Sequence, residues 1–185
     1  MSLGDVTYLV ATVLLGVGAA LAACSAAAVA MDDGSALPLA LAMVVALIAG
    51  GIGRFATHVP KDISFRDAFA MVSLSWTAVA VVGALPYLFS GVLTSPAEAL
   101  FESMSGFTTT GSTVLVDIEA TPPGILLWRS ITQWLGGMGF VVLGVAILPY
   151  LGVGGMQLFR LEAPGPTTDR LRPRIRETAK LLWTV

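Results

Sequence analysis

Four long stretches of this sequence contain no Asp, Glu, Lys or Arg: Val6 to Ala30, Ala36 to Gly53, Ala68 to Phe89 and Ser130 to Phe159. Each is near or beyond the roughly 18 residues that a membrane-spanning helix needs. Lipid is therefore the expected solvent, and the expected fold class is an all-α membrane protein with four spans. The balance of 56% hydrophobic to 12% charged residues agrees, because it lies well outside that of a soluble globular domain.

The same patterning excludes several functions. A lone cysteine, Cys24, rules out an internal disulfide framework, fits no metal-site spacing and reads as packing. The only histidine, His58, lies at a helix end beside Pro60, where a solvated or interfacial role is expected rather than a proton relay. No phosphate-binding glycine loop is visible. The chain is not expected to be an enzyme, to carry a covalent cofactor or to bind nucleic acid. Leu21-Ala22-Ala23-Cys24 resembles a lipoprotein processing box, which would make the first span a cleaved signal. A secretory signal starts with a basic region, whereas the first basic residue here is Arg54, so the first span is expected to be retained.

Orientation follows from the basic residues. Nine of the ten fall into two clusters: Arg54, Lys61 and Arg66 between spans two and three, then Arg160, Arg170, Arg172, Arg174, Arg176 and Lys180 after span four. Both clusters are expected in the cytoplasm. Asp32, Asp33, Glu98, Glu102, Asp117 and Glu119 then fall in the outer segments, and the N-terminus in the cytoplasm.

Phe89 and Trp128 are too far apart for a tight helical hairpin, and the intervening segment is too apolar for a simple solvated loop. Ser95-Pro96-Ala97-Glu98 reads as a capping box with proline at the first helical position. A helix is predicted over 96–105, closing near Gly106 with glycine as the left-handed residue. At 1.5 Å per residue it is roughly 15 Å long, half the hydrocarbon thickness, and reads as re-entrant. Non-helical backbone at that depth must be buried in protein or line a watery cavity. The segment that follows, Phe107-Thr108-Thr109-Thr110-Gly111-Ser112-Thr113-Val114, suits an extended backbone with one glycine free to turn its carbonyl. A half-helix whose C-terminal dipole end points at such a strand is the physics of a potassium filter, in which carbonyl oxygens replace the ion's water.

Phe101 to Thr113, Trp128-Arg129-Ser130 and Gln133 to Gly139 resemble the first filter repeat of bacterial TrkH-type potassium-uptake proteins, within the Trk/Ktr/HKT superfamily. Leu151 to Arg160 and Glu162 to Pro166 resemble the same family. That resemblance implies an N-terminal transmembrane hairpin over 1–56 and a cytoplasmic connector over 57–67. It implies an outer helix, pore helix (96–105), filter (108–113) and inner helix over 68–151, an amphipathic cytoplasmic connector over 152–180, and a further helix opening at 181–185. Thr108, Thr109, Thr110 and Gly111 would supply filter carbonyls, with potassium at Thr109, Thr110 and Gly111. Glu102, Gly106, Ser112, Thr113 and Arg129 would support the filter. A glycine at the place of Gly111 leans toward potassium. The family carries four such repeats and this sequence one, so the chain reads as a fragment whose remaining repeats lie in the same parent or in other copies. The implied partners are a second copy of the full-length protein, a cytoplasmic nucleotide-binding regulatory ring of TrkA-like RCK type, and lipids. The implied location is the cytoplasmic (inner) membrane.

Simpler readings compete at several positions. Gly50-Gly51-Ile52-Gly53, Gly136-Gly137-Met138-Gly139 and Gly152 to Gly155 are read first as close helix packing. Gly136, Gly137 and Gly139 are the best hinge candidates, being on the implied inner helix. Glu102 and Arg129 are read as an ion pair behind the filter rather than as ion ligands. Asp117 and Glu119 are loop residues whose shared sign can concentrate cations at the mouth. The basic run Arg170 to Lys180 is a topology determinant or a face for anionic lipid. Two functions follow: a potassium-conducting membrane subunit, and alternatively a non-conducting membrane scaffold.

Overall fold

The computed structural model describes residues 3–58 and 65–147, with side chains described for 3–58 and 69–139. Five helices follow in order: α1 (Leu3–Met31), α2 (Ala36–Phe55), α3 (Phe65–Phe89), α4 (Pro96–Phe107) and α5 (Pro123–Ile147). There is no strand among the described residues. α1, α2 and the Phe69–Phe89 part of α3 are each long and apolar enough to cross a membrane. The chain divides into two compact units, Met1–Trp134 and Leu135–Val185. Within the second, the described residues are the remainder of α5, and the expected segments over 152–180 and 181–185 lie outside them.

α1 and α2 form the expected hairpin. The chain reverses through Asp32 (φ 51°) and Gly34 (φ 76°), and the tightness of that turn makes the two helices antiparallel neighbours. Their shared face is small-residue packing: Ala11, Cys24 and Ala28 from α1 and Ala42, Ala46 and Gly50 from α2 are buried. A Cβ on Gly50 would sit 2.9 Å from the Ala11 carbonyl oxygen, and one on Gly53 would sit 2.8 Å from the Ala11 Cβ. Both therefore allow the close backbone approach that holds helices together where lipid offers no hydrophobic drive. The outer face of α2 exposes Leu37, Leu41, Val44, Ile48 and Ile52, as a helix facing hydrocarbon should.

α3 packs on α1, α2 and α4. It runs through Pro86 without ending, since a membrane helix tolerates one lost backbone bond when neighbours cover it, and Pro86 is buried. Several helix boundaries pass beyond the charge-free stretches: α1 begins at Leu3 with Asp5 in its first turn, and α2 runs on to Phe55 with Arg54 in its last turn. α3 begins at Phe65, not Ala68, so Arg66 and Asp67 belong to its first turn. α5 begins at Pro123, not Ser130, because Arg129 lies inside the helix, where it has a buried partner. Pro123 at the first helical position, preorganised in φ, was the available sequence signal for that start.

Candidate functional site

α4 has 12 residues, about 18 Å at 1.5 Å per residue, and is too short to span hydrocarbon roughly 30 Å thick. Three features of its expected ends are corrected. Ser95 occupies the N-cap position in extended conformation but makes no side-chain cap bond, and Glu98 is exposed, so there is no capping box. Pro96 at the first turn leaves one fewer amide to cap. The helix also continues past Ser105 to Phe107.

The third correction concerns the helix closure. Gly106 stays helical, and a Cβ there would run into the side chain of Thr132 on α5, so this glycine is a packing notch. Thr109 is the left-handed residue instead, at φ 57°. Its amide donates to the Gly106 carbonyl at 2.9 Å and the Thr110 amide donates to the Ser105 carbonyl at 3.0 Å. These are the paired 5→2 and 6→1 bonds of a Schellman closure, with a β-branched threonine where glycine is usual. Such a residue costs about 1–2 kcal/mol in that conformation and persists only where its surroundings over-determine it.

The closure turns the next residues away from the helix, and Thr108 to Thr113 are all exposed in this chain. Their carbonyls divide into two groups. Thr108 O accepts from Thr109 Oγ1 at 2.7 Å, Gly111 O from Arg129 Nη2 at 3.2 Å, and Ser112 O from Ser105 Oγ at 2.6 Å. Among the described residues, no donor engages the carbonyls of Thr109, Thr110 and Thr113, of which the first two are adjacent at the end of α4. Gly111 has φ 77°, and the nearest atom to a Cβ there is Gln133 Nε2 at 3.9 Å. Backbone conformation, not space, is what calls for glycine at this position.

A single buried carboxylate braces the loop. Glu102 is fully buried on α4; its Oε1 receives Arg129 Nε at 2.6 Å, and its Oε2 receives Thr113 Oγ1 and the Val114 amide, each at 2.9 Å. Arg129 reaches from α5 to both Glu102 and the Gly111 carbonyl, so one guanidinium ties helix, carboxylate and loop together. A buried charge is tolerated when it is paired and hydrogen-bonded throughout, as here. Beneath the loop, Trp128 is fully buried, donates from Nε1 to the Gly83 carbonyl at 3.0 Å and meets Phe107 edge-on with ring centroids 6.2 Å apart.

The structure thus brings Glu102, Gly106, Gly111, Ser112, Thr113 and Arg129 into one assembly. Gly136, Gly137 and Gly139 lie farther along α5, which passes through them as continuous helix. Asp117 spends a carboxylate oxygen on the Ala120 amide at 3.0 Å, a local turn contact at an exposed site. Ser105, which holds the Ser112 and Thr110 backbone, went unnoticed in the sequence because its role depends on a chain reversal that no local pattern specifies.

Comparison with known proteins bears on the same region. A family model described as TrkH, cation transport protein, matches residues 38–185. The Trk system potassium uptake protein TrkH of Salmonella typhimurium is 48% identical over 159 residues, covering 83% of this chain and 32% of that protein. The Halomonas elongata protein of the same name is 52% identical over 130 residues, covering 69% of this chain and 27% of its own length. A crystal structure of the potassium transporter TrkH from Vibrio parahaemolyticus superposes with a TM-score of 0.83 at 35% identity, covering 100% of this chain and 36% of that one. The chain spans about a third of the length of the curated relatives it matches.

Proposed function

Because the chain belongs to the TrkH family of cation transport proteins, we propose that it supplies one filter repeat of a potassium-conducting protein of the cytoplasmic membrane. The observation that carries this reading is the adjacent carbonyls of Thr109 and Thr110, which no donor among the described residues engages and which are presented at the C-terminal end of α4 by a loop that Glu102 and Arg129 hold in place. A cation leaving water needs oxygens that are already oriented and not otherwise occupied, and the partial negative charge of the helix end adds to their field. Thr108 and Gly111 complete the filter segment. The guanidinium on the Gly111 carbonyl fixes that peptide's direction and lowers its share of the coordinating field relative to Thr109 and Thr110.

The exposed edge from Thr108 to Thr113 requires cover, which further repeats of the same parent or other copies provide. In this reading the N-terminus and the Arg170 to Lys180 segment are cytoplasmic, the full-length protein is a dimer, and its cytoplasmic face docks a nucleotide-binding regulatory ring. Gly136, Gly137 and Gly139 supply a hinge in the inner helix. The exposure of that edge also favours a second reading, in which this chain by itself is a non-conducting membrane scaffold. Potassium flux into liposomes carrying the full-length parent, with and without Gly111→Ser, separates the two, since a repeat that only scaffolds leaves the ion selectivity of the flux unchanged.

The experiment for the first reading is Gly111→Ser in the full-length gene product. A side chain at φ 77° is strained by about 1–2 kcal/mol, which the loop relieves by rotating the neighbouring peptides. The expected result is a fall of roughly tenfold in the potassium-to-sodium permeability ratio, with the amount in the membrane retained. An unchanged ratio in a normally expressed protein removes Gly111 from the filter.

A further inference from the structure

The turn between α1 and α2 reaches across to the filter repeat. Asp33 Oδ1 accepts from the Ser35 amide at 2.9 Å and from Ser35 Oγ at 2.7 Å, which fixes the carboxylate's direction. Its other oxygen, Oδ2, accepts a short hydrogen bond from the amide of Gly124, 91 positions along the chain. Gly124 is the second residue of α5, and Pro123 before it has no amide to offer. The Ile125 and Leu126 amides both find the Pro122 carbonyl, at 2.9 and 3.1 Å. The Gly124 amide is therefore the donor of that first turn that a distant residue caps, and a carboxylate there also opposes the positive end of the helix dipole.

The approach is close enough to dictate residue choice on both sides. A Cβ on Gly124 would run into Ser35 Oγ and lie 2.8 Å from the Ala28 Cβ and 3.0 Å from Asp33 Oδ2. Ser35 is buried and occupies the N-cap position of α2, yet it makes no side-chain cap bond to that helix; its hydroxyl goes to Asp33. Desolvation raises the Asp33 pKa, but the hydrogen bonds from the Ser35 side chain and from the Gly124 and Ser35 amides outweigh it and hold the carboxyl below its ordinary range. It is an anion at neutral pH.

Five residues beyond Gly124, about 7.5 Å along the helix axis, stands Arg129, whose guanidinium holds the Gly111 carbonyl. We propose that Asp33 is a positioning residue for the filter: by capping α5 it sets that helix's axial position, and so where Arg129 places the Gly111 peptide. The N-terminal hairpin is on this account part of the selectivity apparatus. This rests on the filter reading above.

The test uses purified full-length protein with Asp33→Ala, Asp33→Asn and Gly111→Ser, reading the potassium concentration that half-saturates both transport and thermal stabilisation of the protein. Asp33→Ala is expected to shift both half-saturation points by on the order of two- to thirtyfold and to change the potassium-to-rubidium preference, with Asp33→Asn, which keeps an acceptor oxygen, falling between it and the parent. A purely structural role would lower the yield and the maximal rate and leave half-saturation and ion preference where they were; that result overturns the proposal. Should Asp33→Ala be too unstable to purify, the comparison of Asp33→Asn with the parent decides it alone. If Gly111→Ser shifts the potassium response and neither Asp33 variant does, the positioning role fails and the filter reading stands. If none of the three shifts it, the filter reading fails first.

Discussion

Removing the Glu102 carboxylate should destabilise the packing of α4, the loop after it and α5 more than removing any other acidic side chain among the described residues. Glu102→Ala deletes the acceptor of three hydrogen bonds at once: Arg129 Nε at 2.6 Å, Thr113 Oγ1 at 2.9 Å and the Val114 amide at 2.9 Å. Breaking a buried ion pair by removing one partner costs about 3–5 kcal/mol. The Arg129 side chain keeps 21% of its exposure and can recover some hydration, whereas Glu102 is at 0%, so the lower end applies, about 3 kcal/mol. The converse substitution, Arg129→Met, strands the fully buried member and should cost more, about 4–5 kcal/mol. Thermal and denaturant unfolding of detergent-solubilised protein measures both, and the double variant closes a cycle in which the two losses should be clearly less than additive because the residues touch. Glu98→Ala is the control, being exposed and without a cap bond, and should stay within about 0.5 kcal/mol of the parent. If Glu102→Ala were as mild as Glu98→Ala, or the cycle additive, the brace described here would not be what holds the loop.

Two further outcomes follow from the geometry. Thr109→Gly removes the Cβ from a residue at φ 57°, relieving about 1–2 kcal/mol of strain against about 1 kcal/mol of added unfolded-state freedom, so stability should be nearly unchanged while potassium selectivity falls as the loop loosens; a clear loss of stability would mean that the threonine side chain, not its backbone shape, closes the helix. For topology, single cysteines placed at Asp117 and Arg174 in a Cys24→Ala background should be labelled by an impermeant reagent from outside at position 117 only, and labelling at 174 instead would invert the orientation.

The fold was legible where chemistry is local. Uninterrupted apolar stretches fix the number and approximate place of α1, α2 and α3, because a chain in lipid must satisfy its own peptide groups. Pro96 marked the start of α4, and the Thr/Gly run after Phe107 marked where regular helix ends. Parity of the basic clusters implied that the α1–α2 turn and the segment before α5 share a side, and the bond from the Gly124 amide to Asp33 joins those two places. The pairing of Glu102 with Arg129 was also readable, since two opposite charges in an otherwise apolar neighbourhood have few other partners.

What the sequence by itself determined, then, is the helical membrane class, the hairpin, the half-helix and the place where regular helix gives way to a Thr/Gly loop. Tertiary structure decided which backbone groups in that loop are free and which are held. Glycine at 106 looked like a helix terminator, but Thr132 packs against it and leaves no room for a side chain, so the left-handed closure moved to Thr109. Ser95 and Glu98 had the spelling of a capping box that the folded chain does not form. The start of α5 was obscured by Arg129, whose charge is hidden by a carboxylate 27 residues earlier in the chain. Contacts such as Asp33 with Gly124 depend on distances between elements remote in sequence, and no local propensity encodes them. A helix can be read from its own residues because its hydrogen bonds span four positions; the direction of a carbonyl in this loop is set by donors on α4 and α5, and exists only once those helices have packed.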